Sequence, residues 1–294
     1  MSQQDRYIAG VPCWIDTTQP DPPAAVAFYG DLFGWEFEDV MPPDSPMRYF
    51  MARLPGGDVG AVGSQSQGAP QPAVWNTYIW VDDADDSAVK VREAGGAVIM
   101  EPGDVGESGR MAVFADPQGA AFSVWQPRTH RGATVVNEHG SLNFNDLHTR
   151  DLDGARTFYG AVFGWELLGF GDAGMWALPA YGDFLEQRTP GLREQQAQMG
   201  APPRFEEVVA SASAIPADQP DVPAHWGVTF AVDDADEIAA RAAELGGQVV
   251  VPPFDAPWVR LTIIRDPQGA TFTASKFVPE NKDIQASAGA ASGA

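Results

Sequence analysis

Four side chains in the second half of this 294-residue chain offer the most chemistry: Asp146, His148, Glu186 and His225. Residues two apart on a β-strand share a face, so Phe144, Asp146 and His148 fall together, as do His225, Gly227 and Thr229. A carboxylate beside imidazoles can orient a ring and tune it for general acid–base catalysis. The same four side chains could instead make a divalent-metal site of unusual pattern. A third reading is structural, with strand-end histidines solvated or satisfied by a nearby carboxylate.

The first half offers a different set. Trp14, Asp16 and Thr18 alternate on one strand, Asn76, Tyr78 and Trp80 on another, and Ser123 and Trp125 on a third. Three kinds of group, aromatic rings, a carboxylate with an amide, and hydroxyls, suit a pocket for a flat or partly apolar small molecule. The other reading is a closed core filled by the rings. Cys13, the single cysteine, falls on the opposite face as a buried filler rather than a nucleophile.

The elements that must position these residues come from a duplication. Residues 21–36 read DPPAAVAFYGDLFGWE and residues 151–166 read DLDGARTFYGAVFGWE, at an offset of 130. A second pair of blocks starts with VDDAD at 81–85 and 232–236 and ends with DPQGA at 116–120 and 266–270. Each block reads as a strand, a helix and further strands, giving four βαβββ units. Asp21 can cap the first helix, Pro22 and Pro23 suit its first turn, and Gly34 suits a left-handed C-terminal cap. Asp83 or Asp85 opens a helix that ends at Gly95-Gly96, and each DPQG makes a hairpin turn.

Spacing divides the chain into a tail at 1–9, a first domain at 10–127, a linker at 128–140, a second domain at 141–278 and a disordered tail at 279–294. The second domain carries extra length, assigned to an insertion at 188–223 that is either a surface loop or a lid. A net charge of −22 argues against nucleic acid or anionic membrane as partners. With 44% apolar residues, one cysteine, no leader-like N-terminus and no membrane-length run, the expectation is a cytoplasmic monomer or homodimer. No phosphate-cradling loop or nucleophile elbow is present, and the acidic clusters are explained as helix N-termini rather than calcium loops.

Taken together, the FYGxxFGWE helices, the VDDAD junctions and the DPQG hairpins resemble the vicinal oxygen chelate superfamily, which includes glyoxalase I, bleomycin-resistance proteins and extradiol dioxygenases. The two-lobed, glyoxalase-like proteins of actinobacteria are the particular likeness. The resemblance implies an α+β fold: four βαβββ units in two tandem glyoxalase-like domains with curved, trough-like mixed sheets. It also implies metal ligands on the first strand of each unit and on the final strand after the turn. Those positions hold Trp14, Asn76 and Ser123 in the first lobe and Phe144, Gly227 and Thr273 in the second, so the usual metal site is expected to be absent. By the same resemblance Asp146 should lie opposite His225, with His148 diagonal to it and Glu186 on a strand facing the same trough.

The expectation is then a small-molecule protein without a cofactor, a divalent metal in the second domain being the alternative. It would bind or transform an aromatic or carbonyl-rich metabolite as a lyase, isomerase or polyketide-type tailoring enzyme. The other readings are an antibiotic-sequestering protein of bleomycin-resistance type and a metal-dependent glyoxalase or dioxygenase with displaced ligands. Asp146, His148 and His225 are the catalytic candidates. Trp14, Asp16, Asn76, Tyr78, Trp80, Ser123, Trp125, Phe144, Thr229 and Thr273 are the ligand-binding ones.

Overall fold

Helix ends in this chain are written by short polar residues and glycine. The computed structural model describes residues 6–65, 73–170 and 173–284. Asp21 caps α1 (Pro22–Phe33) by accepting the Ala24 N–H, and Gly34 ends it at φ 72°. Asp151 and Gly164 do the same for α3 (Leu152–Phe163), where the cap again sits at φ 72°. Asp83 caps α2 (Ala84–Glu93) and Asp234 caps α6 (Ala235–Glu244). These side chains satisfy N–H groups that the helix itself leaves unpaired.

The described residues form four βαβββ modules. The first is β1 (Pro12–Gln19), α1, β2 (Glu36–Asp39), β3 (Tyr49–Leu54) and β4 (Gly57–Ser64). The second is β5 (Val74–Trp80), α2, β6 (Ala97–Val105), β7 (Gly109–Ala115) and β8 (Ala121–Pro127). The third is β9 (Ser141–Thr149), α3, β10 (Glu166–Phe170), β11 (Ala173–Ala177) and β12 (Val208–Ala214), with α4 (Pro179–Arg188) and α5 (Leu192–Met199) between its last two strands. The fourth is β13 (His225–Ala231), α6, β14 (Gln248–Ala256), β15 (Val259–Arg265) and β16 (Thr271–Phe277). The strands order into two eight-stranded mixed sheets, β2-β3-β4-β1-β5-β8-β7-β6 and β10-β11-β12-β9-β13-β16-β15-β14. This is the α+β arrangement of four repeated modules expected from the sequence.

Three details differ from the sequence reading. The extra length of the second lobe lies between β11 and β12, and β12, inside the stretch 188–223, is a sheet strand with partners on both sides. At the start of the chain Tyr7 is buried, its ring 5.8 Å from that of Trp80, so the N-terminal stretch packs where a tail was expected. At the end, Pro279–Asp283 forms a turn of 3₁₀ helix. Residues 285–294 of the expected disordered tail lie outside the described residues.

The chain separates into two compact units. Unit one comprises Met1–Cys13, Tyr78–Arg131 and Asn145–Trp226, and unit two comprises Trp14–Thr77, Gly132–Phe144 and Gly227–Ala294. In unit two, Phe33, Trp35, Trp75, Phe230 and Phe272 pack about the Tyr29 ring in one core. The Tyr29 hydroxyl donates to Asp266 Oδ2 at 2.8 Å and accepts from Trp75 Nε1 at 3.2 Å. Unit one repeats the device. The Tyr159 hydroxyl donates to Asp116 Oδ2 at 3.1 Å and accepts from Trp226 Nε1 at 2.9 Å. Burial, followed by the carboxylate, holds both phenols well above their ordinary pKa, so they stay protonated donors.

Each lock aspartate also builds its own turn. Asp116 Oδ1 accepts the N–H groups of Gln118 and Ala120, and Asp266 Oδ1 those of Gln268 and Ala270. The FYG and DPQG motifs are therefore two halves of one buried polar contact, made once in each unit. Close packing in unit one also fixes Gly96, where a Cβ would lie 2.7 Å from the Ala115 carbonyl and the Phe158 ring. Gly96→Ala is expected to cost about 1–3 kcal/mol through overpacking, read from urea denaturation, and an unchanged midpoint would contradict this packing.

Candidate functional site

In the second sheet β9 and β12 run parallel, with Asp146 beside Ser211 and His148 beside Ser213. The Ser211 hydroxyl donates to Asp146 Oδ1. Ser213 Oγ lies 3.0 Å from His148 Nδ1. The His148 ring stacks on His225 from β13, centroids 4.6 Å apart and planes 13° from parallel. His225 Nδ1 is 2.9 Å from the Pro223 carbonyl, which can only accept, so that nitrogen carries a proton. Burial, and then the neighbouring His225, hold His148 down to about 4. At neutral pH His148 is therefore an uncharged imidazole, held on one edge by a hydroxyl.

All of these groups belong to unit one. The structure thus brings His148 and His225 into contact and gives Asp146 and His148 each a serine partner. Ser211 and Ser213 were missed by sequence reasoning. Their alternation on one strand was visible, but the register that sets them against Asp146 and His148 is a long-range pairing.

Unit two contains a second polar group. Asp16, 3% exposed, accepts from the Tyr49 hydroxyl at 2.9 Å and from Asn76 Nδ2 at 2.8 Å. Trp14 Nε1 donates to the Tyr49 oxygen at 3.2 Å. Burial, then Asp16, hold the Tyr49 phenol well above its ordinary pKa, so it remains a donor. Tyr49 was also missed, because nothing in the local pattern of β3 marks a tyrosine whose partner is on β1. In unit one Tyr78 pairs with Ser123 and Trp80 with Trp125 along β5 and β8, all four buried. In unit two Thr229 pairs with Thr273 along β13 and β16, and Phe144 is half-buried.

Glu186 requires a correction. It lies on helix α4, where the sequence reading expected a strand facing the trough. Its carboxylate accepts the N–H groups of Gly191 at 2.7 Å and Arg193 at 3.0 Å, and these bonds lower its pKa. Pro179 at the first turn, followed by Leu, Glu, Gln and Arg, favours that helix. Cys13 is buried and its thiol is pushed up by that burial.

The positions that the resemblance marks for a divalent metal hold Trp14, Asn76 and Ser123 in the first lobe and Phe144, Gly227 and Thr273 in the second. Trp14, Phe144 and Gly227 offer no donor suited to one, and the Asn76 amide is engaged by Asp16. Among the described residues no three His, Cys, Asp or Glu side chains converge as a metal-holding group. No helix among them is long and apolar enough to cross a membrane.

Comparison with known proteins places this geometry in context. Residues 14–124 and 141–273 match the family model described as Glyoxalase/Bleomycin resistance protein/Dioxygenase superfamily. CFP32 of Mycobacterium tuberculosis (strain CDC 1551 / Oshkosh), provisionally named a glyoxylase, is 40% identical over 286 residues, covering 95% of this chain and 100% of its own. The anthracycline biosynthesis protein DnrV of Streptomyces peucetius is 36% identical over 302 residues, covering 98% of this chain and 99% of its own. Among solved structures, the Mn(II)-bound glyoxalase from Novosphingobium aromaticivorans superposes with a TM-score of 0.59 at 16% identity, over 92% of this chain and 83% of that one.

Proposed function

We infer the function from one premise: the chain belongs to the Glyoxalase/Bleomycin resistance protein/Dioxygenase superfamily. On that premise we propose that it binds an aromatic or carbonyl-rich metabolite and transforms it with side chains alone, in a lyase, isomerase or polyketide-type tailoring step. The observation that carries the proposal is the stacked His148–His225 pair, with Ser213 on His148 and a carboxylate two residues away. The full-length likeness to an anthracycline biosynthesis protein supports the aromatic class, since anthracyclines are fused-ring molecules.

The chemistry asked of the pair is proton movement. An uncharged imidazole can take a proton from a carbon next to a carbonyl, or donate its N–H to the oxygen as negative charge develops there. In an isomerisation the same proton returns at another atom, and in a lyase step the imidazole keeps it while the C–H electron pair forms a double bond and the departing group leaves with its own bonding pair. Neither step exchanges electrons with an outside reagent. Ser213 holds the His148 ring in place, and Pro223 fixes the tautomer of His225.

The test uses purified full-length protein, stripped with chelator and assayed for metal content, incubated with a panel of anthracycline-type aromatic ketones and followed by mass spectrometry. Turnover is expected to persist without metal, and His148→Ala is expected to lower kcat/KM by about 10²–10⁴. Turnover that returns only on adding a divalent metal would overturn the proposal. So would binding in which every ligand is recovered unchanged.

A further inference from the structure

The two stacked imidazoles of unit one are alike in type and unlike in setting. His148 lies on β9 and His225 opens β13, their centroids 4.6 Å apart and their planes 13° from parallel. Two cations at that distance repel each other, so the pair accommodates one added proton more readily than two. Which ring takes that proton decides what each can do.

Their surroundings separate them. His225 Nδ1 donates to the Pro223 carbonyl at 2.9 Å, and in the uncharged ring that leaves the lone pair on Nε2. The carbonyl also favours the charged ring, because a cation's N–H makes a stronger hydrogen bond than a neutral one. His148 is held differently. Its Nδ1 faces the Ser213 hydroxyl at 3.0 Å, a group that can donate as well as accept. Burial, and then His225, keep this ring uncharged at neutral pH. Both rings are half-buried, and among the described residues neither Nε2 has a hydrogen-bond partner.

We propose that the pair divides the work of one enolisation: His225 takes the proton at Nε2, while Ser213 donates to His148 Nδ1 and so leaves the His148 proton on Nε2 for the substrate oxygen. This rests on the side-chain chemistry proposed above and narrows the substrate to a ketone with a C–H next to its carbonyl. As that C–H bond breaks, its electron pair becomes the new C=C bond and the carbonyl π pair moves onto oxygen. The proton goes to His225 Nε2, and the oxygen accepts the His148 N–H as its charge grows. An uncharged imidazole suits the second task, since it donates a hydrogen bond without giving its proton away. The new imidazolium and the enolate attract each other, and the Pro223 carbonyl holds the imidazolium's other N–H. Ser213 is a positioning residue that acts through His148.

The experiment has a ligand-free arm and a turnover arm, both on the full chain. Nitrogen-15 spectra of labelled protein, assigned from backbone to ring, read which ring nitrogen carries each proton. The expected result is Nε2 for His148 and Nδ1 for His225, and Ser213→Ala should mix the two tautomers of His148. The turnover arm follows hydrogen–deuterium exchange next to the carbonyl of 1-tetralone in deuterated water by mass spectrometry. Glutamine can donate an N–H but cannot take up a proton. His148→Gln should therefore slow exchange by about tenfold, and His225→Gln by about 10²–10⁴. A proton on His148 Nδ1, or a loss in His148→Gln equal to or larger than that in His225→Gln, would overturn the division and leave side-chain catalysis standing. No exchange with 1-tetralone or with any ketone of the panel above would overturn the division and the functional reading together. The spectra of the unaltered protein decide the tautomers even where a variant fails to fold.

Discussion

Asp266→Ala is expected to cost about 3–5 kcal/mol of stability. The carboxylate is 4% exposed and accepts four donors: the Tyr29 hydroxyl, Gln19 Nε2 and the N–H groups of Gln268 and Ala270. Alanine accepts none of them, and Tyr29 and Gln19 are fully buried, so two side-chain donors lose their partner in the core. Each orphaned buried donor costs about 1–3 kcal/mol, and the sum is reduced where the turn opens to water. Asp233→Ala is the control. That side chain is 88% exposed, and its loss should stay within about 0.5 kcal/mol. Urea denaturation followed by tryptophan fluorescence reads both variants, and a cost below about 1 kcal/mol for Asp266→Ala would remove the lock's structural role.

The second large effect is the share that His148 supplies in the dependence of stability on pH. The folded protein holds this imidazole down to about 4, against an ordinary value of 6.5. Between those values the unfolded chain takes up a proton that the folded protein refuses, so the free energy of unfolding falls as the pH falls. The contribution is fully present above the ordinary value and is lost by about pH 4. Its size is about 1–3 kcal/mol, the lower figure allowing for water at the half-buried ring. Carboxylates titrate in the same range, so the measurement is the difference between the protein and His148→Gln. The variant should lose less stability than the parent between pH 6.5 and 4. Parallel curves for the two proteins would show that His148 is not held neutral by the fold.

What could be read from the sequence was local or repeated. The helix caps at Asp21, Asp83, Asp151 and Asp234, the glycine stops at Gly34 and Gly164, and the DPQG hairpins each follow from a few neighbouring residues. Alternation placed Asp146 with His148 and Asp16 with its strand neighbours. What escaped depended on long-range pairing. Tyr49 is 33 residues from Asp16, and Ser211 is 65 from Asp146. Only the register of β3, β4 and β12 brings them together. Glu186 was misplaced because a strand was expected through a segment whose own composition favours a helix. The use of the FYG tyrosine was likewise not written locally, since its partner in unit two lies 237 residues away.

That last separation sets an order of assembly. Unit one draws on no residue beyond Trp226, and its lock joins Tyr159 to Asp116, only 43 residues apart. Unit two joins its opening strand and helix to a segment that begins at Gly227. During synthesis from the N-terminus, the segment from Trp14 to Thr77 therefore leaves the ribosome long before its partner strands exist. Its apolar helix face, with Phe28, Tyr29 and Phe33, must wait for the fourth module, while unit one can close first. A nascent chain stalled just after Trp226 would hold one finished unit and one half-built one.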